Sequence, residues 1–148
     1  MKVVLSLLFL ALAGCATLSP NFTEPEARLV SFAPIPGQGL EQRFKLGIRI
    51  INPNTQPLHL QGMSYALQLN GHKVVSGVNG NAREVPAFGE EVINMEVGAS
   101  LFGGARFIFD MVQNNDGKVA YTLQTKLSVN QFLPPITLEE KGELAFAQ

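Results

Sequence analysis

Apolar and polar residues alternate along much of this chain, with the period of two that is typical of β-strands with one buried and one solvated face. The alternation is clearest in residues 44–50, where every second residue is large and apolar. It recurs in residues 63–69, 93–97 and 119–127. Each of these four segments is therefore predicted to form a strand.

Turn residues define further strands. Asn70 and Gly71 directly follow the second alternating segment, and this dipeptide is the strongest short-range signal for a β-hairpin. Residues 72–78 are therefore predicted to return beside the strand before them. Residues 26–32 are predicted to form a first strand, which ends where prolines and glycines accumulate in residues 33–39.

The end of the chain completes the predicted sheet structure. Residues 136–146 are predicted to form a last strand or strand pair, broken at residues 140–142. The total is about seven strands separated by turn signals, which favours an all-β fold of the antiparallel β-sandwich type.

One segment departs from the strand pattern. Apolar residues at positions 101, 105, 108 and 112 follow the spacing of one helix face, so residues 100–113 are predicted to form one short inserted amphipathic helix. Phe102, Phe107 and Phe109 lie on more than one side of this helix. Either the helix is well buried, or these three residues are candidate contacts with another molecule.

The amino terminus predicts where the protein resides. A lysine precedes an apolar run over residues 3–13, which is too short to span a bilayer but fits a secretory signal peptide. The run leads into Leu-Ala-Gly14-Cys15, which resembles a bacterial lipobox. That resemblance implies cleavage between Gly14 and Cys15 and lipidation of the Cys15 thiol. The alternative is an ordinary signal peptide that contains a cysteine.

A lipobox divides the chain into three parts. Residues 1–14 would be the lipoprotein signal peptide, residues 15–25 the lipidated amino terminus and a tether, and residues 26–148 the folded domain. Two or three acyl chains anchor a protein stably in a membrane. Ala16 stands where lipoproteins of the inner membrane commonly have aspartate, so the resemblance favours the outer membrane, facing the periplasm.

Composition argues against nucleic-acid binding and against an internal disulfide. The 148 residues include eleven Lys and Arg against twelve Asp and Glu, a formal charge of −1. Such a chain lacks the basic excess that nucleic-acid binding requires. One cysteine rules out an intramolecular disulfide, so the domain must be stable through its core.

Side chains that could carry chemistry are not grouped in the sequence. His59 and His72 have no cysteine or carboxylate at ligand spacing, and zinc requires three or four ligands. Neighbouring glutamates at 90–91 and 139–140 would point to opposite faces of a strand. We therefore predict no catalytic residue, no metal site and no cofactor.

A series of residues resembles the late embryogenesis abundant type 2 family, also called the WHy (water stress and hypersensitive response) domain. The series begins at Ile50-Ile51-Asn52-Pro53-Asn54 and the resemblance covers residues 40–146. It continues through Leu58, Leu60, Tyr65-Ala66-Leu67, the Asn70-Gly71 turn, Gly77, Val85-Pro86-Ala87 and Gly89. It implies a sandwich similar to immunoglobulin and fibronectin type III domains, association with desiccation and other stress, and frequent lipidation of bacterial members. We interpret the Asn52, Pro53 and Asn54 motif as structural, because asparagine side chains satisfy turn amides and proline fixes a strand exit.

These observations favour a non-enzymatic envelope lipoprotein that protects against desiccation or related stress through weak contacts with client proteins or envelope surfaces. The alternative is an interaction module tethered to the outer membrane, which docks a specific envelope partner through sheet edges or the predicted helix. An enzyme or small-ligand binder is a third hypothesis, and a deep pocket with two convergent ionisable groups would support it.

Overall fold

The structure, a computed structural model, describes residues 22–36, 43–98, 118–129 and 134–145. Every regular element in these ranges is a β-strand, and none of them contains a helix of the length and apolarity needed to cross a membrane. The strands are β1 (Glu26–Ile35), β2 (Arg43–Ile51), β3 (Leu58–Leu60), β4 (Gly62–Leu69), β5 (His72–Asn79), β6 (Arg83–Val85), β7 (Glu90–Gly98), β8 (Lys118–Ser128) and β9 (Ile136–Ala145).

The described strands form three antiparallel sheets. A three-stranded sheet has the order β1-β2-β7, a two-stranded sheet pairs β3 with β6, and a four-stranded sheet has the order β5-β4-β8-β9. The prediction of an all-β, antiparallel fold is confirmed. The predicted helix over residues 100–113 lies outside the described residues.

The hairpin between β4 and β5 is confirmed. Asn70 has φ of 47° and Gly71 has φ of 79°, and the tight turns that match strand twist require positive φ at both central residues. The Asn70 side chain also accepts a hydrogen bond from the backbone N–H of Ala120 at 3.1 Å. The turn is thereby tied to β8, which continues the same sheet.

All three sheets contribute to one apolar core. The alternation in β2 buries Leu46, Ile48 and Ile50 completely. Phe32 and Phe44 are half-buried and stack against each other, with ring centroids 4.5 Å apart. The other buried apolar residues are Ala27, Leu58, Leu60, Met63, Leu67, Leu69, Val74, Val75, Val85, Ile93, Val97, Val119, Leu123, Leu127 and Leu138.

The strand count, the end of β1 and the continuity of β9 differ from the sequence prediction. The described residues contain nine strands, not about seven, because β3 and β6 are three residues long, too short for a repeating pattern to mark them as strands. β1 continues through Pro34 to Ile35, which is possible because β1 is an edge strand and proline is tolerated there. β9 is one unbroken strand.

Candidate functional site

Asn52 follows β2 and is 1% exposed. Its side-chain Nδ2 lies 2.8, 3.1 and 3.3 Å from the carbonyl oxygens of Gln56, Pro86 and Val85. Three oxygens around one nitrogen fix the orientation of the amide, since an oxygen there would have no donor. The side chain therefore links the turn after β2 to the end of β6.

The other polar atoms of Asn52 also have partners. Its Oδ1 accepts hydrogen bonds from the backbone N–H and the Nδ2 of Asn54, at 3.1 and 3.0 Å. Its backbone N–H donates to the carbonyl of Gly89 at 2.9 Å. Because a buried polar group is costly unless it is hydrogen-bonded, this complete set of partners explains how an amide can occupy the interior.

Asn54 joins two more segments to this cluster. Its Oδ1 accepts the backbone N–H of Thr23 at 2.7 Å, and its Nδ2 donates to the carbonyl of Thr23 at 2.8 Å. Its own carbonyl accepts the N–H of Phe88 at 3.0 Å. Asn52, Pro53 and Asn54 thus hold the start of the domain, the turn after β2 and the turn before β7 together.

The sequence did not indicate these partners. Two acceptors of Asn52, at the end of β6 and the start of the next turn, are 33 and 34 residues further along the chain. No local pattern marks a backbone carbonyl as the partner of a distant side chain. The Pro86–Gly89 turn, which begins with proline and ends with glycine, is the one signal in the sequence.

Two aromatic side chains beside this cluster face solvent. Phe22 is 43% exposed and Phe88 is 73% exposed. Phe88 also has φ of 50°, a backbone conformation that is uncommon for residues other than glycine, asparagine and aspartate. Neither ring is part of the core, so the fold itself does not require an aromatic residue at either position.

A cleft of about 520 Å³ separates the start of β1 from β9 and is lined by charged and polar groups. Glu140 lines one side of the cleft, and one of its carboxylate oxygens accepts a hydrogen bond from the backbone N–H of Leu29 at 2.6 Å. This bond connects the edge of the three-stranded sheet to the edge of the four-stranded sheet. The carboxylate therefore has a structural partner within the chain.

The two tyrosines lie over glycines of the neighbouring strand. Tyr65 pairs with Gly77, and Tyr121 pairs with Gly142. A Cβ added at Gly142 would lie 2.8 Å from atoms of the Tyr121 ring and hydroxyl. Burial raises the pKa of both tyrosines, and for Tyr121 the Glu140 carboxylate raises it further.

The histidines and neighbouring glutamates are separated in the structure. His59 lies on an exposed part of β3, with Nδ1 3.1 Å from a carboxylate oxygen of Glu84. Glu90 is 3.5 Å from Arg49, whereas Glu91 is 3.0 Å from Arg83.

On β9, Glu139 pairs with Lys141 at 2.8 Å, and hydrogen bonds from Lys141 and Gln124 lower the pKa of Glu139. In the part of the chain that the structure describes, no three His, Cys, Asp or Glu residues come together as metal ligands.

Several predicted site residues lie outside the described ranges. These residues are Gly14 and Cys15 of the lipobox and the candidate contacts Phe102, Phe107 and Phe109. Lipidation and helix contact therefore stay predictions from the sequence.

Solved structures resemble this fold. The chain is similar to a protein from Arabidopsis thaliana, with a TM-score of 0.67, 16% identity, and coverage of 90% of this chain and 89% of that one. It is also similar to a candidate late embryogenesis abundant protein, with a TM-score of 0.53, 20% identity and coverage of 98% and 84%. For a protein from Archaeoglobus fulgidus the TM-score is 0.50 at 14% identity, with coverage of 82% and 99%. Identities this low show the fold alone.

Sequence comparison identifies the family. A search of curated protein sequences finds no significant match. The family model for late embryogenesis abundant proteins, LEA_2, matches residues 47–142, which extend from β2 into β9. This protein therefore belongs to the LEA_2 family of late embryogenesis abundant proteins.

Proposed function

We propose that this protein is a lipid-anchored, non-enzymatic envelope protein that protects other molecules during water loss or related stress. The match to the LEA_2 family over residues 47–142 carries the proposal, because membership suggests a stress-related and non-enzymatic role. In this proposal the domain belongs to the immunoglobulin-like sandwich class. Its sheets are the rigid body, and its surface makes the protective contacts.

The character of the surface supports weak contacts. Charged side chains lie in exposed pairs of opposite sign, such as Arg28 with Glu26 at 2.6 Å and Arg43 with Glu96 at 2.8 Å. Paired charges produce little net field, so they favour neither strong steering nor tight charged binding. The chain also has ten Asn and nine Gln beside 23 charged residues. Amides donate and accept hydrogen bonds without charge, and can replace water at a drying surface.

The lipobox supports the location. Cys15 would be acylated after cleavage, and two or three acyl chains would hold the domain stably at the membrane. We place the anchor in the outer membrane with the domain in the periplasm, because Ala16 follows the cysteine. Proteins that unfold near the envelope as water is lost would then be the clients.

Drying an aggregation-prone enzyme tests the protective activity. The enzyme is dried and rehydrated at near-equal molar ratio with residues 16–148 or with an inert β-sandwich of similar size and charge. We expect clearly greater recovered activity with this domain. Recovery equal to the inert control would overturn shielding of clients, and crosslinking in intact cells for one specific partner would then test the interaction-module alternative.

A matched variant tests the role of the amides. Gln61, Asn81 and Asn94 are exposed, and the combined changes Gln61→Glu, Asn81→Asp and Asn94→Asp keep side-chain size while adding three negative charges. If uncharged amides make the protective contacts, this variant unfolds at a similar urea concentration but protects less. Unchanged protection would exclude the amides as the source of the activity.

A further inference from the structure

The turns at one end of the domain contain few charged residues. We call it the Asn54 end, and define it as residues 22–25, 52–57 and 86–89, the three segments that Asn52 and Asn54 join by hydrogen bonds. Glu24 is the one charged residue among them. The ion pairs Arg43–Glu96 and Lys118–Glu143 lie toward the opposite ends of their strands. The Asn54 end itself therefore has few charged groups, and the ion pairs Arg28–Glu26 and Arg49–Glu90 lie at its border.

The same end presents two exposed aromatic rings. Phe22 precedes Thr23, which bonds Asn54 through both backbone groups, and the N–H of Phe88 bonds the Asn54 carbonyl. Hydrogen bonds to Asn54 thus hold the backbone at or next to both phenylalanines, which come from two distant parts of the chain. A phenylalanine at positive φ and 73% exposure is costly for folding, and such strain points to a role outside the fold.

The amino-terminal segment brings this end close to the proposed anchor. Phe22 is seven residues after Cys15, and seven residues span at most about 25 Å when fully extended. With Cys15 acylated, the Asn54 end could not move further than that from the membrane surface.

We propose that the Asn54 end is a membrane-contact surface whose ligand is the interface of a phospholipid bilayer. Phe22 and Phe88 insert between the headgroups and the upper acyl chains, where apolar side chains enter by about 5–10 Å. Asn54 holds the backbone of Phe88, and that of Thr23 next to Phe22, at this end of the domain. This inference rests on the lipid anchor of the proposed function and adds an orientation to it.

Single tryptophans report this contact, because the chain contains none. The full chain is expressed, processed and lipidated in cells, and reconstituted into phosphatidylethanolamine and phosphatidylglycerol vesicles with or without brominated acyl chains. The variants are Phe88→Trp, Phe22→Trp and the control Lys73→Trp, an exposed position next to the Asn70–Gly71 turn at the opposite end. Bromine quenches indole fluorescence at short range.

We expect Phe88→Trp and Phe22→Trp to lose more than about half of their fluorescence on brominated lipid, and Lys73→Trp less than about one tenth, as insertion of one end requires. Adding Phe88→Asn to Phe22→Trp should reduce the quenching by about twofold, because a polar side chain leaves the interface while asparagine suits the positive φ. Unchanged circular dichroism would show that the fold is intact.

The possible results distinguish membrane contact by the Asn54 end from lipid anchoring through Cys15. If the wild-type protein floats with vesicles and Cys15→Ser does not, but all three tryptophans are quenched equally, the anchor stands and membrane contact is overturned. If mass spectrometry finds no lipid on Cys15, both fall. If the Phe88→Trp indole is shielded from soluble iodide in native membranes but not in pure lipid vesicles, a protein covers this end and the lipid proposal is wrong.

Discussion

Two buried polar side chains in this domain have opposite surroundings. Asn52 is 1% exposed, and every polar atom of its side chain has a hydrogen-bond partner. Thr125 in β8 is 0% exposed, and its Oγ1 has no hydrogen-bond partner among the described residues. Asn52 lies where three segments of irregular backbone meet, whereas Thr125 lies between Tyr65 and Leu138 in the middle of a sheet.

This difference shows where a buried polar group contributes to stability. Turn carbonyls have no sheet partner, so an amide beside them satisfies groups that would otherwise lack hydrogen bonds. Within a sheet the backbone groups are already paired, and a hydroxyl there has nothing left to bond. We therefore expect Asn52 to stabilise the fold and Thr125 to reduce its stability.

The largest expected effect comes from Asn52→Asp. The change keeps size but turns a donor that faces three carbonyl oxygens into a buried carboxylate oxygen, at a cost of about 3–5 kcal/mol. Urea unfolding measures the loss. Asn94→Asp, the same chemical change on an exposed site of β7, is the control and should shift stability by less than about 0.5 kcal/mol. If Asn52→Asp and Asn94→Asp lower the free energy of unfolding equally, the hydrogen bonds of Asn52 do not stabilise the fold, and its contrast with Thr125 is wrong.

Gly142→Ala tests whether the four-stranded sheet around Thr125 is tightly packed. The new Cβ would lie 2.8 Å from Tyr121, and such overpacking costs about 1–3 kcal/mol. In a Tyr121→Ala background the same change should cost much less, so a double-mutant cycle measured by thermal unfolding isolates the clash. If Gly142→Ala costs the same in both backgrounds, the Tyr121 ring does not clash with the new Cβ and the sheet is not tightly packed at this position.

Thr125→Val should stabilise the protein by about 1 kcal/mol, because it replaces an unpartnered hydroxyl with a methyl group of similar size. Thr122→Val, on the opposite face of the same strand, is the control and is expected to be nearly neutral. Chemical denaturation of both variants is the measurement. Destabilisation by Thr125→Val would mean that the hydroxyl has a partner, such as a buried water.

The smallest effect is a difference in pH dependence. Burial raises the pKa of Tyr65 and Tyr121 in the folded state, so their contribution to stability is fully present below the ordinary tyrosine pKa of about 10. It is lost as the pH rises through the folded values. Tyr121→Phe and Tyr65→Phe should each flatten the fall in stability above pH 10, measured by urea unfolding at several pH values. Asn52→Asp should leave that part of the profile unchanged.

Sequence reasoning succeeded where a residue acts on its neighbours. Asn70 and Gly71 specify a hairpin through their own φ angles, and the prediction was confirmed. It failed where the partner is distant. The position of β1 at an edge permits Pro34 within the strand. β9 is a single strand because it pairs with β8 over its whole length. The partners of Asn52 belong to the same class.

The charges along β9 have a consequence under drying. Glu139, Lys141 and Glu143 are exposed and alternate in sign along an edge strand. A second molecule that added its own strand there would have to strip water from these groups, which opposes edge-to-edge aggregation. Proteins become concentrated as water leaves, and exposed sheet edges then join into insoluble fibres. Alternating charges along the edge of β9 therefore disfavour pairing of a second copy with this strand as the protein becomes concentrated.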